Sequence, residues 1–134
     1  MHIISIYPNY VKAILAGTKT VECRKSSVGV APGDLLQLYA TAPVKAVLGR
    51  ARVEGLHRGT PAELWEQFKH CAGVAEDDFF SYYANAKTAV LIGLTDVRAY
   101  DDIITLTALR SIEDRFSPPQ TARRLSPNME AFFA

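Results

Sequence analysis

Short runs rich in β-branched and other apolar residues predict five strands along the chain. They fall at residues 2–6, 19–24, 35–40, 46–54 and 88–96, and the last is the most apolar. A continuous apolar run is typical of a strand covered on both faces, so we expect the strand at 88–96 to be central. The tail, from residue 101 onward, shows a less regular pattern.

Three helices are predicted between these strands. The first follows Pro8, and Gly17 suits the left-handed position that ends a helix. The second begins at residues 60–63, where the sequence Thr-Pro-Ala-Glu provides a cap, a proline at the first helical position and a capping-box glutamate. The third begins at the acidic run 76–78, because negative charge is favoured at a helix start. Strands with inserted helices predict an α+β domain, and periodicity alone leaves barrel and open sheet undecided.

Length and composition are those of one globular domain, residues 1–134. The chain is 49% hydrophobic and 22% charged, and no window approaches the ~20 apolar residues of a membrane span. The N-terminus lacks both a basic start and a long apolar run, so no secretion signal is predicted and a cytoplasmic location is expected.

Cysteine and histidine spacing predicts neither a metal nor another cofactor. Cys23 and Cys71 lie far apart, and His2, His57 and His70 do not fall at the intervals of a zinc site.

Charge is distributed unevenly although the net charge is only +1. Residues 1–70 hold nine Lys and Arg against five Asp and Glu, whereas residues 71–134 hold six against nine. The basic excess fits either a phosphate-facing surface or an ordinary solvated face.

The strand at 19–24 is the richest in candidate chemistry. Because side chains alternate along a strand, Val21 and Cys23 are predicted to face the core, and Glu22 and Arg24 the other side. Lys19 has core parity, but at the mouth of the strand its long stem is expected to swing out. Without further information, Glu22 and Arg24 form a surface ion pair worth ~0.5 kcal/mol.

The same segment resembles the signature Gly-x-Lys-x-x-Glu-x-Arg of the ASCH domain family, a branch of the PUA-like superfamily. Gly17, Lys19, Glu22 and Arg24 occupy its four fixed positions. Further stretches resemble the family in the same order, at residues 32–40, 43–49, 61–65 and 118–121. Since the matches span residues 3–125, the chain is identified as a member of this family.

The resemblance implies a fold and a site. The fold is a small PUA-like β-barrel of about five to six strands, with helices inserted between strands. Lys19, Glu22 and Arg24 are expected to line a cleft between barrel and helices. The family is associated with RNA: some members resemble ribonucleases acting on single-stranded RNA, and others are amidohydrolases that deacylate modified cytidine.

We therefore expect the cleft to bind single-stranded RNA or a modified nucleotide, with ribonuclease activity as an extension. Glu22 is the candidate base, and Lys19 and Lys45 are the candidate catalytic cations, because phosphodiester cleavage needs a proton acceptor and charge stabilisation. The candidate substrate-binding residues are Arg24, Tyr39 as a base-stacking ring, Gln120, Thr121 and Arg123.

Two alternatives stay open. An amidohydrolase acting on N4-acylated cytidine shares the signature lysine, here Lys19, but its threonine nucleophile falls on Glu22, and Thr20 is out of register. Because a carboxylate is a poor substitute for an activated hydroxyl, this departure favours RNA binding or cleavage. The other alternative is a binding or co-regulator module without catalysis.

Overall fold

Six strands and five helices make up the structure, a computed structural model that describes residues 1–134. The strands are β1 (His2–Ile6), β2 (Val21–Arg24), β3 (Leu35–Ala40), β4 (Ala46–Gly59), β5 (Ala89–Thr105) and β6 (Ala122–Arg124). The helices are α1 (Pro8–Ala16), α2 (Pro61–Phe68), α3 (Glu76–Tyr82), α4 (Leu106–Ile112) and α5 (Pro127–Phe133). No helix is both long and apolar enough to cross a membrane.

All the strands join one sheet in the order β2-β5-β4-β3-β1-β6. Only β1 and β3 are parallel, and every other pair is antiparallel. The sheet curls into a half-barrel flanked by the five helices, which confirms the predicted α+β barrel-type fold. β2 and β6 are its two edges, so the half-barrel has an open side.

The five predicted strands and three predicted helices are all present, with altered bounds. β2 begins at Val21 rather than at residue 19. β4 and β5 are longer than predicted because they pair with each other from Ala46↔Thr105 to Gly59↔Ala89. The tail forms α4, β6 and α5, which the sequence pattern did not reveal because each is only three to seven residues long.

Three apolar clusters hold the sheet and helices together. The inner core lies between the sheet and α1, and includes Ile4, Ile6, Val11, Ile14, Leu36, Leu38, Val53, Val90 and Ile92. The α2–α3 cluster consists of Val21, Leu64, Trp65, Ala72, Phe79, Tyr83, Ala89 and Leu91. The α4–α5 cluster consists of Ile3, Tyr39, Val47, Leu109, Phe116, Leu125 and Met129. Because β1 contributes to clusters on both faces of the sheet, its sequence reads as an unbroken apolar run.

Two helix boundaries, the end of α1 and the start of α2, lie where the sequence predicted them. Gly17 has a φ of 85° and ends α1 in the left-handed conformation, as predicted. The Thr60 hydroxyl accepts a hydrogen bond from the Glu63 amide at 3.2 Å and donates one to Glu63 Oε1 at 2.9 Å, which confirms the predicted start of α2. The residues after Gly17 then lead directly into edge strand β2.

Candidate functional site

A pocket of about 600 Å³ lies on the open side of the half-barrel, between edge strand β2 and the end of β1. We call it the seam pocket. Arg24 spans the gap, because its Nη2 donates a hydrogen bond to the Ser5 carbonyl of β1 at 2.8 Å. The pocket is lined by Ser5, Ile6, Tyr7, Tyr10, Lys19, Glu22, Cys23, Arg24, Thr41, Val74, Asp78, Phe79, Tyr82, Pro119 and Gln120. A side chain, rather than a backbone ladder, thus connects β2 and β1.

Lys19, Glu22 and Arg24 converge at this pocket as a buried charged cluster. Glu22 Oε2 accepts hydrogen bonds from Arg24 Nε at 3.1 Å and Nη2 at 2.7 Å. Glu22 Oε1 lies 3.8 Å from Lys19 Nζ. The exposed fractions of these side chains are 2% for Lys19, 7% for Glu22 and 11% for Arg24. The expected surface ion pair is therefore a desolvated arrangement of one carboxylate between two cations.

Lys19 points inward, so the expectation that its stem swings out is wrong. Its Nζ donates a hydrogen bond of 2.6 Å to the Ala72 carbonyl and lies 4.9 Å from the centroid of the Tyr10 ring. A buried ammonium is tolerated only when its protons find acceptors and its charge finds a partner. The Ala72 carbonyl and Glu22 supply these. Glu22 belongs to the same motif as Lys19, whereas Ala72 is 53 residues away in sequence and is absent from the local pattern.

Tyr83 fixes the strand that carries Arg24. Its hydroxyl donates a hydrogen bond of 2.9 Å to the Arg24 carbonyl. Burial raises the pKa of Tyr83, so the hydroxyl keeps the proton that it donates. Nothing in the local sequence pattern distinguishes Tyr83 from its aromatic neighbours, so the sequence does not reveal this role.

Aromatic side chains form much of the remaining wall. Tyr10 and Phe79 lie deeper, whereas Tyr7 and Tyr82 are exposed at the mouth. The Lys25 ammonium lies 4.9 Å from the centroid of the Tyr82 ring. The sequence did not identify Tyr7 or Tyr82 as site residues. The available signal was a position next to Pro8 for Tyr7 and the aromatic-rich sequence of α3 for Tyr82.

The formal charges that line the seam pocket cancel. Lys19 and Arg24 are cationic, and Glu22 and Asp78 are anionic. The pocket is therefore an aromatic, overall neutral cavity with polar groups at its floor rather than a basic cleft. Such a site suits a planar uncharged group with hydrogen-bonding edges better than it suits an isolated phosphate.

The structure brings four of the eight predicted site residues into the seam pocket, namely Lys19, Glu22, Arg24 and Gln120. Tyr39 is only 3% exposed and packs in the α4–α5 cluster, so its ring does not present a stacking face. Burial also raises the pKa of Tyr39.

Lys45 and Thr121 lie just outside the seam pocket, beside residues that line it. The Lys45 amide donates to the Thr41 carbonyl at 3.4 Å, and the Ser5 amide donates to the Thr121 carbonyl at 2.9 Å. Arg123 is engaged elsewhere, because it donates to the Ser117 carbonyl at 2.9 Å and stacks over Phe116. Of the eight predicted residues, four therefore line the pocket, Lys45 and Thr121 lie at its rim, and Tyr39 and Arg123 lie elsewhere.

Two other chemistries have less support in the geometry. Thr20 is exposed and does not line the seam pocket, so the hydroxyl considered for acyl transfer is away from Lys19 and Glu22. No group of three or more His, Cys, Asp or Glu side chains is arranged to hold a metal ion.

Cys23 lines the seam pocket but is expected to be unreactive. Burial raises the pKa of its thiol to about 11, from a reference value of 9.0. Two pKa units reduce the thiolate fraction about a hundredfold at neutral pH. In a Cys71→Ser variant, iodoacetamide should therefore alkylate Cys23 at about one hundredth of the rate in the urea-unfolded chain at pH 7.5. Equal rates in the two states, followed by mass spectrometry, would show that folding neither shields the thiol nor raises its pKa.

Comparisons with known proteins agree with this fold. A family model described as "Domain of unknown function (DUF365)" matches residues 2–116. A protein of Zymomonas mobilis subsp. mobilis named "ASCH domain-containing ribonuclease" is 34% identical over 119 residues, which cover 89% of this chain and 80% of that protein.

Solved structures show the same relationship. The crystal structure of ASCH from Zymomonas mobilis matches with a TM-score of 0.93 and 31% identity, covering 98% of this chain and 92% of that one. The N-terminal domain of Staphylothermus marinus McrB matches with a TM-score of 0.60 at 14% identity over 98% and 90% of the two chains, a likeness of fold alone. The chain belongs to the ASCH domain family, as its motifs predicted.

Proposed function

We propose that this ASCH protein binds single-stranded RNA, inserts one base into the seam pocket and cleaves the strand beside it. The observation that carries the proposal is the charged floor of Lys19, Glu22 and Arg24 inside a neutral, aromatic pocket of about 600 Å³. The name of the Zymomonas mobilis relative, a ribonuclease, supports RNA as the substrate class.

The floor of the seam pocket offers a donor and an acceptor side by side. Lys19 Nζ donates one hydrogen bond to the Ala72 carbonyl, and Glu22 Oε1 lies 3.8 Å from Lys19 Nζ. A ribose 2′-hydroxyl can donate a proton to a carboxylate, and a phosphate oxygen accepts from an ammonium, so the Lys19–Glu22 pair can contact the sugar and phosphate of one bound nucleotide. Tyr10 and Phe79 supply the aromatic wall for the faces of its base.

The strand outside the pocket is held by the mouth and the rim. Tyr7 and Tyr82 present exposed rings on which neighbouring bases stack, the role that the sequence had given to Tyr39. We expect Lys45 and Thr121, at the rim, to contact the adjoining phosphate and ribose. In this proposal Arg123 and the Tyr39 ring make no direct contact with the RNA.

Cleavage uses the 2′-hydroxyl of the bound nucleotide. Glu22 takes the 2′-hydroxyl proton as the 2′-oxygen attacks phosphorus, the bond from phosphorus to the 5′-oxygen breaks, and a 2′,3′-cyclic phosphate forms. A lysine ammonium gives a proton to the departing 5′-oxygen, and Lys45 at the rim fits that role. Arg24 and Lys19 stabilise the charge that builds up on phosphorus oxygens and hold Glu22 in place.

Binding of a short, fluorescently labelled single-stranded RNA to matched variants tests the proposal. Tyr82→Ala should weaken binding about tenfold, because base–aromatic stacking is worth ~1–3 kcal/mol per base. Phe132→Ala is the control, since Phe132 in α5 is similarly exposed, 47% against 43%, and lies outside the seam pocket. Equal affinities of the two variants, or no binding by the unaltered protein at low salt, would refute the proposal.

Product analysis separates cleavage from binding alone. The proposed reaction leaves a 2′,3′-cyclic phosphate and a free 5′-hydroxyl, and Lys45→Ala should slow it by a larger factor than it weakens RNA binding. Release of free cytidine from N4-acetylcytidine, with intact RNA, would instead identify an amidohydrolase. Tight binding of RNA with no product of either kind would leave a binding module.

A further inference from the structure

Three arginines share the outer face of the sheet, between the parts covered by the α2–α3 and α4–α5 clusters. Arg50 of β4 lies directly opposite Arg98 of β5, and Arg52 lies opposite Thr95. Arg50 also pairs with Gln37 of β3, which places it on the same face as Tyr39. We call Arg50, Arg52 and Arg98 the arginine strip. None of these residues lines the seam pocket.

The central pair of the arginine strip has no anionic partner within the chain. Neither Arg50 nor Arg98 forms a salt bridge, and Arg52 lies only at 4.0 Å from the exposed Asp96. Like charges directly opposite each other on antiparallel strands destabilise a sheet. An arrangement that costs folding free energy, and that is not neutralised inside the chain, indicates an external anion.

The floor under the pair is fixed. The Tyr100 hydroxyl donates a hydrogen bond of 2.5 Å to Gln37 Oε1, and Gln37 is fully buried. Gln37 is the cross-strand neighbour of Arg50, and Tyr100 lies two residues after Arg98 in β5. The arginine pair therefore lies beside a fixed polar base.

We infer that the arginine strip binds phosphates of a single-stranded RNA, away from the seam pocket. The inference rests on the proposed function, because it takes the RNA as given and adds a second region of contact. Guanidinium groups bind phosphates through paired hydrogen bonds, and two adjacent arginines suit the repeated phosphates of a polynucleotide. The seam pocket then selects a base, while the arginine strip contributes affinity that does not depend on sequence.

The salt dependence of binding tests this inference. Each phosphate contact on a single strand contributes ~0.7 to the slope of log K against log salt, so the double variant Arg50→Ala/Arg98→Ala should lower the slope for a 12-nucleotide RNA by about 1.4. Its affinity for that RNA should fall about tenfold at low salt, because each lost charge-assisted contact is a strong one. Its affinity for a mononucleotide, which occupies only the seam pocket, should not change.

Arg115→Ala is the matched control, since Arg115 is an exposed arginine without an ion pair outside both regions. It should leave both slope and affinity unaltered. If the unaltered protein binds the 12-nucleotide RNA, and the double variant binds it equally well with the same slope, the inference is overturned while the proposed function stands. If the double variant loses binding of inorganic phosphate but keeps the RNA affinity and slope of the unaltered protein, the strip is a site for free phosphate and the inference also fails. If the unaltered protein binds no RNA, the proposed function fails first.

Discussion

Glu22→Gln is expected to lower the free energy of unfolding by about 3–5 kcal/mol, the cost of removing one partner from a buried ion pair. Glutamine keeps the shape of the side chain but removes the charge that compensates Lys19 and Arg24 at the same time. Since a domain of this size has a total stability of ~5–15 kcal/mol, the loss is large enough to measure by urea denaturation.

A second variant tests whether stability is lost because Lys19 and Arg24 no longer have an anionic partner. Lys19→Met removes one of them, so the double variant Lys19→Met/Glu22→Gln should lose less stability than the two single variants added together. Glu54→Gln is the matched control, because the Glu54–His57 pair is exposed and such pairs are worth ~0–1 kcal/mol. Strict additivity of Lys19→Met and Glu22→Gln would mean that the two groups are not coupled, and would contradict the buried cluster.

Gly73→Ala is expected to disturb the same cluster from the outside. A Cβ at position 73 would meet Lys19 Cβ at 2.5 Å and Cγ at 2.8 Å, too close for any real contact. These atoms belong to the base of the lysine stem, which cannot move aside without displacing Nζ from the Ala72 carbonyl. The φ of 62° adds the penalty of the left-handed conformation. We expect a loss of about 2–4 kcal/mol, in which overpacking is the larger part.

Gly29→Ala separates the two contributions to that loss. Gly29 has a φ of 80°, but a Cβ there would meet nothing within 4 Å. It should therefore cost only the backbone part, ~1–2 kcal/mol, and should leave RNA binding intact. Gly73→Ala should cost more and should also weaken RNA binding, because Lys19 is displaced. If the two alanine variants have equal stability and equal affinity, Gly73 does not position Lys19.

The open side of the half-barrel explains why charged residues of this kind are buried at all. β2 pairs with β5 alone, so its other side has no backbone partner. The Arg24 side chain bridges to Ser5 there, and Glu22 and Tyr83 hold Arg24 in place. One set of residues therefore closes the seam and forms the floor of the pocket, which links stability to function at this site.

The sequence by itself determined the order of the first five strands and the first three helices, the parity of β2 and the boundary at Thr60. These features depend on residues close together in the chain: the two-residue period of a strand, a proline after a capping threonine, and a glycine after a helix. The signature Gly17 to Arg24 also identified the family and three of the residues that meet in the pocket, Lys19, Glu22 and Arg24.

Only the tertiary structure decided what covers each face. Lys19 is buried because Ala72 and Gly73, more than fifty residues away in sequence, close over it. Tyr39 was expected to stack on RNA but packs under α4 and α5, elements that the tail pattern did not predict. A strand period fixes the side to which a residue points, whereas burial and contacts depend on distant segments that the fold brings to that side. For that reason Tyr7 and Tyr82, and not Tyr39, stand at the mouth of the pocket.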